Sequence, residues 1–156
     1  MANGDGCAIA IPYFLGQSKA FDRIGVEITT AAASTNVRLG IYADNGSNSP
    51  GSRVIDAGTI DASTTGAKEV TMSTGTLAQG MYWLVAVPQG GSPTFRALNG
   101  SAYHVGGGSL ATVVGSGGIL AGIYTAAGAV PGALPATFPA VANYAAFPPV
   151  IALRAA

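Results

Sequence analysis

Between Phe21 and Tyr42 the chain alternates with a period of two, and this period restricts the fold more than any other feature of the sequence. Ile24, Val26 and Ile28 stand against Arg23, Gly25, Glu27 and Thr29; after residues 31–36, Val37, Leu39 and Ile41 stand against Arg38, Gly40 and Tyr42. Successive side chains of a strand point to opposite faces, so the pattern predicts two strands with one face in a core and one in water. Asp44-Asn45-Gly46 and Pro50-Gly51 close the second strand with turn chemistry. Two such strands in succession predict an antiparallel sheet, and the polar loop after them is a natural place for function.

The rest of the chain extends this reading. Cys7–Phe14 is expected to be a first strand with Ile9, Ile11 and Tyr13 on one face, and Pro12 sets it at an edge or a bulge. Residues 53–60 and 68–72 read as further strands around an Asp61–Gly66 turn cluster. Met81–Val87 is apolar throughout and bounded by Gly80 and Pro88, the pattern of a central strand buried on both faces, with Trp83 its largest side chain. Thr94–Leu98 is expected to be its hairpin partner, Ile119–Tyr124 a strand, and Val150–Arg154 a closing strand. Gly40-Ile41-Tyr42 is echoed by Gly122-Ile123-Tyr124, which reads as two strands leaving one sheet by similar turns. Helical periodicity is absent, and the Ala-rich stretches are cut by Gly or Pro. The expectation is one all-β domain over 1–156: an antiparallel β-sandwich, jelly-roll-like, with a polar arm at 1–6.

Residues 125–149 carry no charge, yet hold Val130, Leu134, Phe138, Val141, Tyr144 and Phe147. A disordered linker avoids such side chains. Prolines 131, 135, 139, 148 and 149 preclude a regular helix and disfavour a central strand. The segment should lie extended on an apolar surface, its own or a neighbour's, and these six side chains are assigned to an oligomer interface. Sparse charge points the same way. Charged residues are 9% of the chain, against about 25% in an ordinary soluble domain. Such a surface is either covered by partners in an assembly or is the Ser/Thr/Gly-rich surface of a secreted protein.

Charge also bounds the function. Seven basic and seven acidic residues balance, so no basic stripe marks a nucleic-acid partner. No apolar run free of Gly or Pro approaches the length of a spanning helix, so membrane insertion is not expected. Cys7 is the sole cysteine, so an intrachain disulfide cannot form. No basic residue precedes the apolar run Cys7–Leu15, which Pro12 interrupts, so the start does not read as a signal peptide and synthesis in the cytoplasm is expected.

Catalytic patterns are weak. His104, the sole histidine, has no G-x-S-x-G elbow to serve and reads as structural. One His and one Cys are too few for a zinc site. Gly106-Gly107-Gly108-Ser109 lacks the lysine of a phosphate loop. No acid lies beyond Glu69, so the second half offers no carboxylate for glycoside hydrolysis. No catalytic residue, metal or cofactor is assigned. The one ligand group is Tyr42 with Asp44, Asn45 and Asn48, where an aromatic face beside amide and carboxylate oxygens suits a sugar and an oxygen-rich loop suits calcium. Asn45-Gly46-Ser47 and Asn99-Gly100-Ser101 match the glycosylation sequon but read as Asn-Gly turns.

Phe21–Thr30, Val37–Tyr42, Pro50-Gly51, Ile55–Asp61, Thr64-Thr65-Gly66 and Gly80–Leu84 together resemble a module recurring in structural proteins of tailed bacteriophages, over about residues 7–98, with a weaker likeness at Pro149–Arg154. The resemblance implies a jelly-roll-type β-sandwich found on tail fibres and other virion projections, often as trimers. Its motifs mark strands and turns and carry no functional residues across. It implies a non-enzymatic virion protein, foremost a trimeric tail fibre or receptor-binding knob that contacts the host surface. The alternatives are a capsid decoration or head-spike protein, favoured by the lack of a coiled-coil stalk or collagen-like repeat, or a stand-alone glycan-binding module. The partners implied are further copies of the chain, other virion proteins and a host surface glycan.

Overall fold

The computed structural model describes residues 4–97, 122–124, 128–140, 142–144 and 149–156, and all regular structure among them is β-strand. The alternating stretches form β2 (Lys19–Thr30) and β3 (Asn36–Asp44). Around them run β1 (Ile9–Leu15), β4 (Pro50–Asp61), β5 (Gly66–Thr71) and β7 (Gly80–Gln89), with the short β6 (Thr76–Leu77) and β8 (Thr94–Phe95). The last three strands are β9 (Gly122–Tyr124), β10 (Ala142–Tyr144) and β11 (Ile151–Ala155).

Two antiparallel sheets result among the described residues. One is six-stranded in the order β10–β9–β1–β7–β3–β4; the other has the order β11–β2–β5, with β6 and β8 pairing with β2 as well. The chain passes repeatedly between the sheets, as a jelly-roll-like sandwich requires. Their facing sides enclose the main core: Ile24, Val26 and Ile28 of β2 meet Val37, Leu39 and Ile41 of β3, with Leu84, Phe95 and Ile151 around them. These are the residues that the period of two places inward.

β7 lies between β1 and β3, and Trp83 to Val87 are at most 1% exposed, as a strand buried on both faces requires. β1 pairs with β7 along its length but with β9 only at Ile9 and Ala10. Pro12 therefore sits where the far side of the strand has no described partner, an edge position that tolerates a missing N–H. β3 and β9, which carry the Gly-Ile-Tyr echo, belong to one sheet.

Three expectations need correction. Thr94–Phe95 is no hairpin partner of β7; it crosses to the other sheet and pairs with Ile28 and Thr30 of β2. The loop after β7 carries Pro93 and spans the sandwich, so the next strand starts on the opposite layer. Pro50-Gly51 opens β4, since Pro50 already pairs with Asp44. Gly40 and Tyr42, expected to face water, are buried, because residues 128–140 cover that side of the sheet. The period of two assigns these side chains to the second face correctly, but cannot say whether that face stays wet.

Residues 128–140 form an extended strap across the outer face of β7, β3 and β4. Val130, Leu134 and Phe138 pack with Ala8, Ala10, Tyr42, Trp83, Val85 and Val87 into a second core. Leu134 fits over Gly40, where a Cβ would collide with Leu134 Cδ1 and the Ile55 carbonyl oxygen. Backbone hydrogen bonds hold the strap at several points along its length. Gly128 and Val130 N–H donate to Asp5 O (2.7 Å) and Gly6 O (2.9 Å), and Gln89 Nε2 donates to Val130 O and Gly132 O. Arg53 N–H donates to Ala136 O, and Phe138 N–H to Gly51 O. Residues 4–6 are thereby pinned between the strap and the end of β7, where Gly6 N–H donates to Pro88 O.

Candidate functional site

The Asp44 carboxylate and the Asn45 amide oxygen are taken up within the chain. Asp44 Oδ1 accepts from Trp83 Nε1 (2.9 Å) and Oδ2 from Gly46 N–H (2.8 Å), while Asn45 Oδ1 accepts from Ser47 N–H. Gly46 and Asn48 take left-handed backbone (φ 86° and 55°), which their residue types permit. Asn45 and Asn48 are exposed, but Tyr42 is 0% exposed. Its ring meets Phe138 edge to face with centroids 5.0 Å apart, and its hydroxyl donates to Pro135 O at 2.7 Å. Burial pushes the phenol up to about 12. Tyr42 therefore has no ring face to offer a sugar. The structure brings Asp44, Asn45 and Asn48 together and takes Tyr42 away from them into the second core.

Of the six side chains assigned to an oligomer interface, Val130, Leu134 and Phe138 are covered by their own chain at 8% exposure or less. They have almost no area left for a neighbour. Tyr144 lies in β10; Val141 and Phe147, like His104, Gly106–Ser109 and the Asn99 sequon, lie outside the described residues. Cys7 is buried, and burial raises its thiol.

Asp56 ties the strap to the sheet. Its carboxylate accepts from Arg38 Nη1 at 2.9 Å on both oxygens, from Leu134 N–H (2.9 Å) and from Gly58 N–H (3.1 Å). Burial pushes this carboxyl up, but the two backbone N–H groups and Arg38 outweigh it and hold the group below its ordinary value. Arg53 Nη1 donates to Leu134 O from the other side.

With the outer face of the first sheet strapped over, the face left open among the described residues is that of β11–β2–β5. The register of β2 with its neighbours aligns Gly25 with Ala152 and Glu69, Glu27 with Ala67, and Arg23 with Arg154. Cross-strand partners share a face, so Gly25, Ala67 and Ala152 form a floor of small residues beneath charged side chains. The result is an open hollow of about 500 Å³. Between Phe21 and Ile24, both buried, Asp22 and Arg23 turn outward together, beside the register shift at Arg154/Ala155.

Three ion pairs stand on this face. Arg23 Nη1 meets Glu69 Oε1 at 2.7 Å, Arg96 grips Glu27 with Nε and Nη2 (3.0 and 2.8 Å), and Arg154 grips Asp22 with Nε and Nη2 (2.9 and 2.6 Å). The forks from Arg154 and Arg96 hold Asp22 and Glu27 below the ordinary carboxylate range, and raise the two arginines in turn. Three guanidiniums balance three carboxylates, in a chain with only seven charges of each sign. Sequence reasoning missed this surface. The alternating charges of β2 signalled an exposed face, but Glu69, Arg96 and Arg154 join it only through long-range pairing. No protein-family model, curated protein or solved structure matches the chain.

Proposed function

We propose that this chain is a non-enzymatic structural protein of a tailed-bacteriophage virion, an oligomeric tail-fibre or receptor-binding module that docks through the open face of β11–β2–β5. The observation that carries the docking role is the asymmetry of the sandwich. The chain's own strap covers Trp83 and Tyr42 on one side, while the opposite sheet keeps a small-residue hollow rimmed by ordered charge. What supports the virion class is the resemblance, whose motifs fall on β2, β3, β4 and β7, the strands that build the sandwich. A capsid-decoration role would use the same face and differs only in its place on the particle.

Antibody labelling of purified particles under the electron microscope tests the reading. Label at the tail is expected; label on the head moves the chain to the decoration role. Particles without the protein would overturn the virion class.

A further inference from the structure

We infer that the β11–β2–β5 face binds a second copy of this chain, related by a two-fold axis that sets each guanidinium row against the partner's carboxylates. The inference deepens the docking role proposed above by naming the occupant.

The argument is charge complementarity. A face matched to a polyanion or a polycation carries an excess of one sign. Here Arg23, Arg96 and Arg154 are balanced by Glu69, Glu27 and Asp22, while Lys68, which also lines the hollow, is opposite the core-facing Val26 and donates its Nζ to Thr64 Oγ1. A single-signed ligand would be repelled by half of these groups. A surface with the same alternation meets opposite charges once it is rotated and offset, and an identical copy presents that surface. The pairs remain accessible, with side chains 34–59% exposed, so each arginine keeps donors for a second carboxylate. Gly25, Ala67 and Ala152 keep the centre low, so the charged side chains of a partner can enter. The chain's zero net charge removes long-range repulsion between copies.

Sedimentation velocity of the full chain over a concentration series is the test, with Glu27→Arg and Arg96→Glu as charge reversals and Ala152→Gln as an uncharged filling of the hollow. The wild type should dimerise, and the dimer should weaken in molar salt. Each single reversal should weaken self-association by about tenfold or more, because like charges then face each other. An equimolar mixture of the two reversals should associate again, since Arg at position 27 on one copy meets Glu at position 96 on the other. Ala152→Gln should weaken the dimer without altering any charge, so the test holds even if a reversal fails to fold by circular dichroism. A wild type that stays monomeric at every concentration overturns the inference. So does an oligomer whose dissociation constant is unmoved by all three substitutions. Either result leaves particle labelling, and with it the virion reading, untouched.

Discussion

Gly40 shows how much one missing side chain decides. The inner neighbours of Gly40, Leu39 and Ile41, serve the main core, while Gly40 leaves the space on the outer face that Leu134 fills. Gly40→Ala should destabilise the fold by about 1–3 kcal/mol through overpacking, lowering the melting temperature by about 2–4 °C per kcal/mol in a chain of this size. Thermal unfolding followed by circular dichroism measures it. Asp56 gives the fold one source of acid sensitivity. Its carboxyl titrates lower in the folded chain than in the unfolded one, so its contribution is present above about pH 4 and is lost as pH falls through the folded value. Asp56→Asn should lower stability at neutral pH by about 2–3 kcal/mol, because Arg38 is left half-buried without its counter-charge. The variant should also lose stability less steeply than the wild type below about pH 4. Urea titrations at several pH values would show both effects; equal slopes would remove Asp56 from the account.

At the scale of elements, the strap is the part whose attachment can be watched directly. Trp83 is the chain's single tryptophan, it is fully buried, and the strap closes its cluster. Leu134→Ala deletes the central anchor and should cost about 2–5 kcal/mol. If the strap loosens before the sandwich unfolds, Trp83 emission should shift to the red at denaturant concentrations where the far-ultraviolet circular dichroism is still native. Coincident transitions would show that strap and sandwich form one cooperative unit. The ion pairs of the open face behave differently. Arg96 and Glu27 are 59% and 40% exposed, and such solvent-screened pairs add little to stability. Arg96→Ala should therefore leave urea unfolding almost unchanged, so an effect on self-association would be read as loss of contact and not loss of fold.

For the whole molecule, the sandwich has two unlike sides. One sheet is sealed by residues 128–140, and the other presents half-exposed ion pairs on a small-residue floor. Deleting 128–140 should expose Trp83, Tyr42, Val85 and Val87 together, a patch of the kind monomers rarely tolerate. Light scattering should then report aggregation even in molar salt, whereas the charge-balanced face should release its partner in salt. The two surfaces are thus separable by ionic strength. A strapless chain that stayed soluble and kept its native spectrum would mean that the strap is dispensable to the fold.

Local pattern was sufficient for the longer strands β2, β3 and β7, and for the side of β2 and β3 that enters the main core. The period of two in β2 and β3 and the apolar run of β7 follow from backbone geometry and need no knowledge of the rest of the chain. The same pattern shows that 128–140 must be covered, since Val130, Leu134 and Phe138 cannot remain in water without cost. What covers them was decided only by the tertiary structure. Leu134 reaches Gly40 across a sequence gap that no periodicity bridges, and this contact turns Tyr42 from a surface residue into a core one. The crossing of β8 to the second sheet and the meeting of Arg154 with Asp22 have the same origin. They depend on which strands become neighbours, and strand order is set by the burial of both sheets at once, not by the residues of any one strand.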